Sequence, residues 1–461
     1  MSVAVARSAL STSLARYSRS WGLWLLLLVA PVGARFMIAR DDGSGIQIAI
    51  GRHLPVMTSA TLGVSLGIVV STLLLPIGWM YLRANTTRRQ PWQVEEVAPA
   101  SRIAVALGRF AADAAVLLAM LAALTAAGWL LGVWIVDGAY QPATIALTLW
   151  LVAAPALLGL AALRILFDAV PALRGGLGDL GFLILWIASI SVPAAVADRP
   201  SSLAVNMYDY AGLVRPLVGA APSADKDFAI GSSDILPGRV PLDVMRGIES
   251  EGYIASRLVW AGIAVAVAGG AGLVYRPHTA PRRRRGAGRL ARLLAAGPPR
   301  AADRSAPAAR PATSPLAGLI ASEFRLILPG RVYLALAGIA AATGLAGDDR
   351  HIGSAAALLV LIFGLTAHAG RSEAKGLLAL TRVTATPPML RRAAFVAAGT
   401  GWAILLALPA ALIGLGPQPL LLGAATGAVA ALTATLLAAF SGSGFAPRLV
   451  LLIAWYVYLS T

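Results

Sequence analysis

Two short polar stretches hold the residues of this chain whose types and spacing could do chemistry. The first runs from Arg88 to Asp113, RRQPWQVEEVAPASRIAVALGRFAAD, and sets Glu95 and Glu96 just ahead of Pro99, Ser101 and Arg102. The second starts at Arg371, RSEAKGLLALTRVTATPPMLRRAAF, with Glu373 and Gly376 near its start. In it, Pro388 and Arg391 repeat the spacing of Pro99 and Arg102. Each stretch is wedged between two long apolar runs. Carboxylates in a short exposed segment present charge to a partner, and a proline directly before a new helical pattern fixes the bend into the helix that follows. The chemistry these residues suit is docking and the transmission of a partner's movement. Its recurrence at the same place along the chain points to an internal repeat.

Bond-making chemistry finds no such support. There is no GxxxxGK[ST], and the only lysines are Lys226 and Lys375, so the chain has no phosphate loop and cannot hydrolyse ATP alone. Gly176-Leu-Gly-Asp-Leu-Gly181 has the form GxGxxG, but no strand precedes it, and close helix packing explains it better than a dinucleotide. HExxH, GxSxG and paired histidines are missing. No catalytic, cofactor or metal residue is therefore assigned. Asp113, Asp168 and His368 lie within or beside apolar runs, each near an expected cytoplasmic end where it reaches water. Asp113 is expected to pair with Arg109, one helical turn away. With no carboxylate well placed at mid-membrane, an ion-driven carrier is disfavoured.

The elements that position these stretches follow from composition. Of 461 residues, 58% are hydrophobic and only 13% charged, which marks a polytopic membrane protein. The runs are continuous and rich in Leu, Ala, Val and Gly, so they read as helices and not as the alternating strands of a barrel. A net charge of +17 raises the question of nucleic acid. The basic residues, however, sit in loops between apolar runs, the pattern of membrane orientation, and no nucleic-acid partner is inferred. Without cysteine there is neither a disulfide framework nor a thiolate site.

Along the chain, residues 1–20 read as an amphipathic lead-in helix, followed by spans at about Trp21–Ile38 and Val56–Tyr81. Val32-Gly33-Ala34 resembles a signal cleavage site, but an uncleaved anchor fits the following arginines better. After the first polar stretch come spans ending near Ile135 and Phe167 and one over about Phe182–Val196. The acidic outer segment Asp198–Arg257 then leads into a span over about Leu258–Tyr275. Residues 276–315, with Arg282 to Arg285 in a row, read as a flexible cytoplasmic linker whose arginines can meet anionic lipid. A second lead-in at Leu316–Leu328 opens the second half. Its spans are expected at about Val332–Leu345, Gly353–His368, Ala393–Leu415, Leu420–Phe440 and Leu449 onward, with Trp455, Tyr456 and Tyr458 placed as an aromatic belt. The expected fold is an all-α, polytopic transmembrane helical bundle of about eleven spans in two repeated halves, 1–275 and 316–461. Such repeats commonly face each other across a central path.

On these residues, the chain resembles the permease subunits of type-2 ABC exporters. Those carry between their second and third spans a segment of the form E-x-x-G-(T)-L-x-x-L-L-x-T-P-x-S-R, the coupling helix for a nucleotide-binding subunit. The first stretch keeps Pro99, Ser101 and Arg102, with Gly108 after them, and lacks the early Glu-Gly pair. The second keeps Glu373, Gly376, Leu377, Leu378, Thr386, Pro388 and Arg391, with Met389-Leu390 in place of Ala100-Ser101. The resemblance implies two permease units fused in one chain, in a bacterial-type cytoplasmic membrane with the N-terminus in the cytoplasm. It further implies two copies of a separate ATPase subunit that bind ATP and Mg and dock beneath the stretches. Glu95, Glu96, Pro99, Ser101, Arg102, Glu373, Gly376, Pro388 and Arg391 would form the coupling surface. The alternatives are an ion-coupled secondary carrier and a non-transporting membrane scaffold.

Overall fold

Each long apolar run folds as a helix, the form that satisfies backbone hydrogen bonds within one segment where water is scarce. The computed structural model describes residues 2–38, 47–50, 52–84, 100–174, 176–218, 228–231, 236–275, 315–327, 330–343, 345, 353–371, 387–442 and 444–460. The fold is nearly all-α. Two compact units divide it, Met1–Ala280 and Pro281–Thr461. Apart from Pro315, the linker expected over 276–315 lies outside the described residues.

Among the described residues, 6 helices are long and apolar enough to cross a membrane: Ser59–Ala84, Arg102–Ile135, Pro142–Ala169, Tyr253–Val274, Pro388–Ile413 and Gln418–Ser441. Shorter apolar helices lie at Trp21–Arg35, Gly181–Ala195, Tyr333–Thr343, Ser354–His368 and Phe445–Trp455.

The first unit opens with α1 (Ser2–Ser18) and α2 (Trp21–Met37). Next comes a rod made of α3 (Ser59–Val69), a π-turn (Val70–Leu74) and α4 (Leu75–Ala84). Helices α5 (Arg102–Ile135), α6 (Pro142–Ala169), α7 (Gly176–Ala195) and α8 (Tyr253–Val274) complete it. All of α3 is buried. It lies so close to α6 that a Cβ on Gly63 would stand 2.6 Å from the Ile145 carbonyl oxygen, and one on Gly67 would stand 2.7 Å from Val152. Small residues at such contacts let backbones approach and dispersion act over the whole interface. Helix α1 packs along α5, where Gly108 leaves room for Ala6 and Ala9.

One end of this unit carries a cap built from two distant segments. The strand Gln47–Ile50 (β1) pairs antiparallel with Phe228–Gly231 (β3), and Leu54–Pro55 (β2) pairs parallel with Arg239–Val240 (β4). Ile48, Ile50, Leu213, Val214, Leu217, Leu242 and Ile248 then form one apolar core with Val64 and Ile68 of α3 and Val152 of α6. The sequence suggests two separate segments, Arg40–Pro55 and Asp198–Arg257. Strand pairing makes them a single folded piece seated on the helices.

The second unit is built from α9 (Pro315–Ile327), α10 (Gly330–Thr343), α11 (Ser354–His368), α12 (Pro388–Ala410), α13 (Gln418–Ser441) and α14 (Phe445–Ser460). Alanines 398, 403, 430, 431, 434 and 438 fill its core, which brings α12 and α13 into close contact. Helix α9 lies against α12, with Phe324 stacked on Trp402 at 4.5 Å.

Candidate functional site

The last part of each polar stretch already belongs to a long helix, and the sequence explains both starts. Ser101 is the N-cap of α5, its hydroxyl accepting from the Ala104 amide at 3.4 Å. Arg102, the first residue of α5, donates to the Tyr275 carbonyl at 3.4 Å beyond the end of α8. Pro388 is the first residue of α12, where a missing amide hydrogen costs nothing, and Arg391 follows within the first turn. Ser101 and Arg102 therefore belong to the first unit, and Pro388 and Arg391 to the second. Glu95, Glu96, Pro99, Glu373 and Gly376 lie outside the described residues.

Behind the first stretch stands a buried polar cluster that sequence reading misplaces. Asp113 does not reach water; it is 1% exposed. Its carboxylate accepts the Tyr17 hydroxyl of α1 at 2.6 Å and Arg164 Nη1 of α6 at 3.0 Å. The partner is a cation on another helix, where the expectation was Arg109 on the same one. Asp168 is buried as well. The physical reason is that α1 folds over this end of the bundle and shields it, so a charge at a helix end is desolvated and must be paired. Burial, followed by the nearby Asp113 carboxylate, pushes the Tyr17 phenol well above its ordinary range. The hydroxyl is thus held protonated as a donor.

The second unit shows a related arrangement. Glu323 of α9 accepts Arg371 Nη2 at 2.5 Å, and Arg371 opens the second polar stretch. Glu323 is only 6% exposed. Burial pushes its carboxyl above the usual carboxylate range, and the Arg371 and Arg391 charges oppose that shift without cancelling it. Trp402 Nε1 donates to the Phe324 carbonyl at 2.8 Å. Asp113 and Trp402 stand the same number of residues past Arg102 and Arg391. In both units, then, the lead-in helix grips the helix that follows a polar stretch at a matching position, through Tyr17 in one and Phe324 in the other. No periodicity signals these contacts, but the equal spacing from the two arginines was available to find them.

At the cap, Asp209 accepts the amides of Gly212 and Leu213 on one oxygen and those of Val214 and Arg215 on the other, at 2.9 to 3.4 Å. Arg257, 1% exposed, donates to the carbonyls of Asn206, Asp209 and Tyr210. These bonds shape the cap. Among the described residues no group of three or more His, Asp or Glu is placed to hold a metal ion. No family model, curated protein or solved structure matches the chain.

Proposed function

We propose that the chain is the membrane-spanning permease of an ATP-driven exporter, with separate ATPase subunits docking on the two polar stretches. In this reading the long apolar helices and the shorter ones together make about eleven crossings in two repeated halves. The observation that carries it is the matched grip of α1 on α5 and of α9 on α12. A push on either stretch reaches a long helix and its lead-in together, which suits a device that converts a partner's closure into movement of a bundle. Exposed Trp21 and Trp24 on α2 and Trp129 and Trp134 on α5 suit two interfacial belts, which fits seating in lipid. ATP and Mg belong to the partner, and cargo leaves the cytoplasm or inner leaflet.

A second reading, the ion-coupled carrier, gains from one observation: Asp113 is a buried carboxylate bridging two helices and a lead-in. One experiment separates the two. The chain is purified from its native membranes in mild detergent, its companions are identified, and ATP hydrolysis is assayed. A stoichiometric ATPase subunit supports the exporter. Intact chain without one overturns that reading and makes ion-gradient transport the next assay.

A further inference from the structure

Helix α8 ends against the start of α5, at the end of the first unit opposite the cap. A Cβ on Gly272 would stand 2.6 Å from the Ile103 Cα and 2.8 Å from the Arg102 carbonyl oxygen, so a glycine is what lets the two backbones meet. Beside this crossing the surface changes character within two residues. Leu273 and Val274, the last residues of α8, are 73% and 52% exposed, and Ile103 on α5 is 38% exposed. Tyr275, next in the chain, is buried. Two guanidiniums lie against its ring, that of Arg102 at 6.0 Å and that of Arg174, from the turn between α6 and α7, at 5.5 Å.

The two cations differ in what else they hold. Arg174 Nε donates to the Asp168 carbonyl at 2.6 Å and Nη2 to the Ala169 carbonyl at 3.3 Å, which fastens it to the end of α6. Arg83 braces the same turn by donating to the Leu173 and Arg174 carbonyls, while its Nε pairs with Asp179 at 3.1 Å. Arg102 is exposed, and among the described residues its guanidinium meets the Tyr275 ring and carbonyl but no carboxylate. A guanidinium carries several donors, and a single hydrogen bond leaves most of them for a ligand.

The depth of this corner follows from its neighbours. Helix α8 is long and apolar enough to cross a membrane. Large apolar side chains exposed on such a helix meet acyl chains, and a tyrosine directly after them marks the headgroup level. Arg102, bonded to that tyrosine, therefore stands at the depth of lipid phosphate.

We infer that this corner is a binding site for one anionic phospholipid, its phosphate on Arg102 and Arg174 and an acyl chain along Ile103, Leu273 and Val274. Arginine suits the role because its planar fork takes phosphate oxygens and stays charged at any working pH. A zwitterionic headgroup brings an ammonium toward the same two cations and is disfavoured by their repulsion. The lipid would pin the start of α5, where the first polar stretch ends, to the end of α8. The site goes beyond the exporter reading and requires no ATPase.

The test uses the full chain, purified in mild detergent and stripped of lipid. Dioleoylphosphatidylglycerol is titrated in and bound lipid is counted by native mass spectrometry. Dioleoylphosphatidylcholine is the zwitterionic probe, and glycerol 3-phosphate is the free headgroup. One molecule of the anionic lipid should bind more tightly than any of the zwitterionic one, and excess glycerol 3-phosphate should not displace it. An arginine at an anionic lipid surface contributes about fivefold in affinity, so Arg102→Gln should weaken binding about fivefold and its combination with Arg174→Gln about 25-fold. Arg7→Gln, at an exposed arginine of α1, should leave binding unchanged. Since Arg174 also holds a turn together, Leu273→Glu gives a second route: at an exposed position it sets a carboxylate beside the phosphate and should weaken binding without lowering Tm. Equal binding of the two lipids, or binding indifferent to Arg102→Gln and Leu273→Glu, overturns the site. Displacement by glycerol 3-phosphate overturns it in favour of a free-phosphate site, and an equal loss in Arg7→Gln in favour of diffuse attraction to a basic surface. Each outcome is read on the chain alone, so the exporter reading can fail while this site stands.

Discussion

Asp113→Ala should be among the most damaging single changes in the first unit, and its cost can be worked from the buried cluster. The substitution removes the acceptor of Tyr17 and the counter-ion of Arg164, whose side chain is 2% exposed. Removing one member of a buried, hydrogen-bonded ion pair costs about 3–5 kcal/mol. For a unit of this size that corresponds to a fall of roughly 6–20 °C in Tm. Tyr17→Phe removes only one hydrogen bond to a charged acceptor, about 1.5–3 kcal/mol. Asp113→Leu combined with Arg164→Met removes both charges together and should cost far less than the sum of the two single changes, because the desolvation penalty disappears with the attraction. The assay is thermal unfolding of the purified full chain in nanodiscs, with Asp137→Ala as a control at a carboxylate whose side chain is 58% exposed. If Asp113→Ala melts with the control, or if the double variant loses the full sum, the reasoning about the pair is refuted.

Other outcomes are expected elsewhere. Replacing Glu95 and Glu96 with Lys should leave insertion intact but uncouple transport from ATP hydrolysis; coupled turnover at the original rate would remove their docking role. Because the folded-state carboxyl of Glu323 is raised, its contribution to stability is fully present below the ordinary carboxylate value of about 4.3 and is lost as pH rises through the raised value. Glu323→Gln should therefore flatten this part of the pH–Tm profile and be tolerated at neutral pH. Arg371→Ala, which strips a buried carboxylate of its partner, should cost about 1–3 kcal/mol, and the reverse ranking would contradict the burial argument. Gly63→Ala drives a methyl against the Ile145 carbonyl and should destabilise by about 1–3 kcal/mol, read as a lower Tm, whereas Gly262→Ala, with nothing within 4 Å, should not. Arg257→Met removes the buried cation that ties three cap carbonyls together, two of which keep only a backbone amide, so proteolysis within 198–252 should rise while the helices stay protected.

The positions of the helices were legible because a membrane-length apolar run has few other solutions. Expected starts such as Trp21 and Leu420 fall within a few residues of the observed helices. The cap was not legible as a unit. Its strands have four and two residues, too short for an alternation to register, and their partners are far apart in sequence. The placement of Asp113 failed for a related reason. Periodicity offers partners one turn away, such as Arg109, but says nothing of which residue a neighbouring helix will present, or that α1 would cover the site. Of the π-turn only Pro76 was visible, and a proline in an apolar run announces a bend without saying which carbonyl is freed or what will take it.

The Asp113–Arg164 pair also sets an order on synthesis. The two residues are 51 positions apart, so at ribosomal rates the carboxylate is made about 3–10 s before its counter-ion. During that interval α5 exists without α6, and the nearest cation on the same helix is Arg109, one turn away. Until α6 arrives, this intrahelical neighbour is the cation available to the nascent chain. Tyr17 of α1 bonds a carboxylate whose counter-ion arrives only with α6, so the contact between α1 and α5 reaches its final form after a helix made well after both.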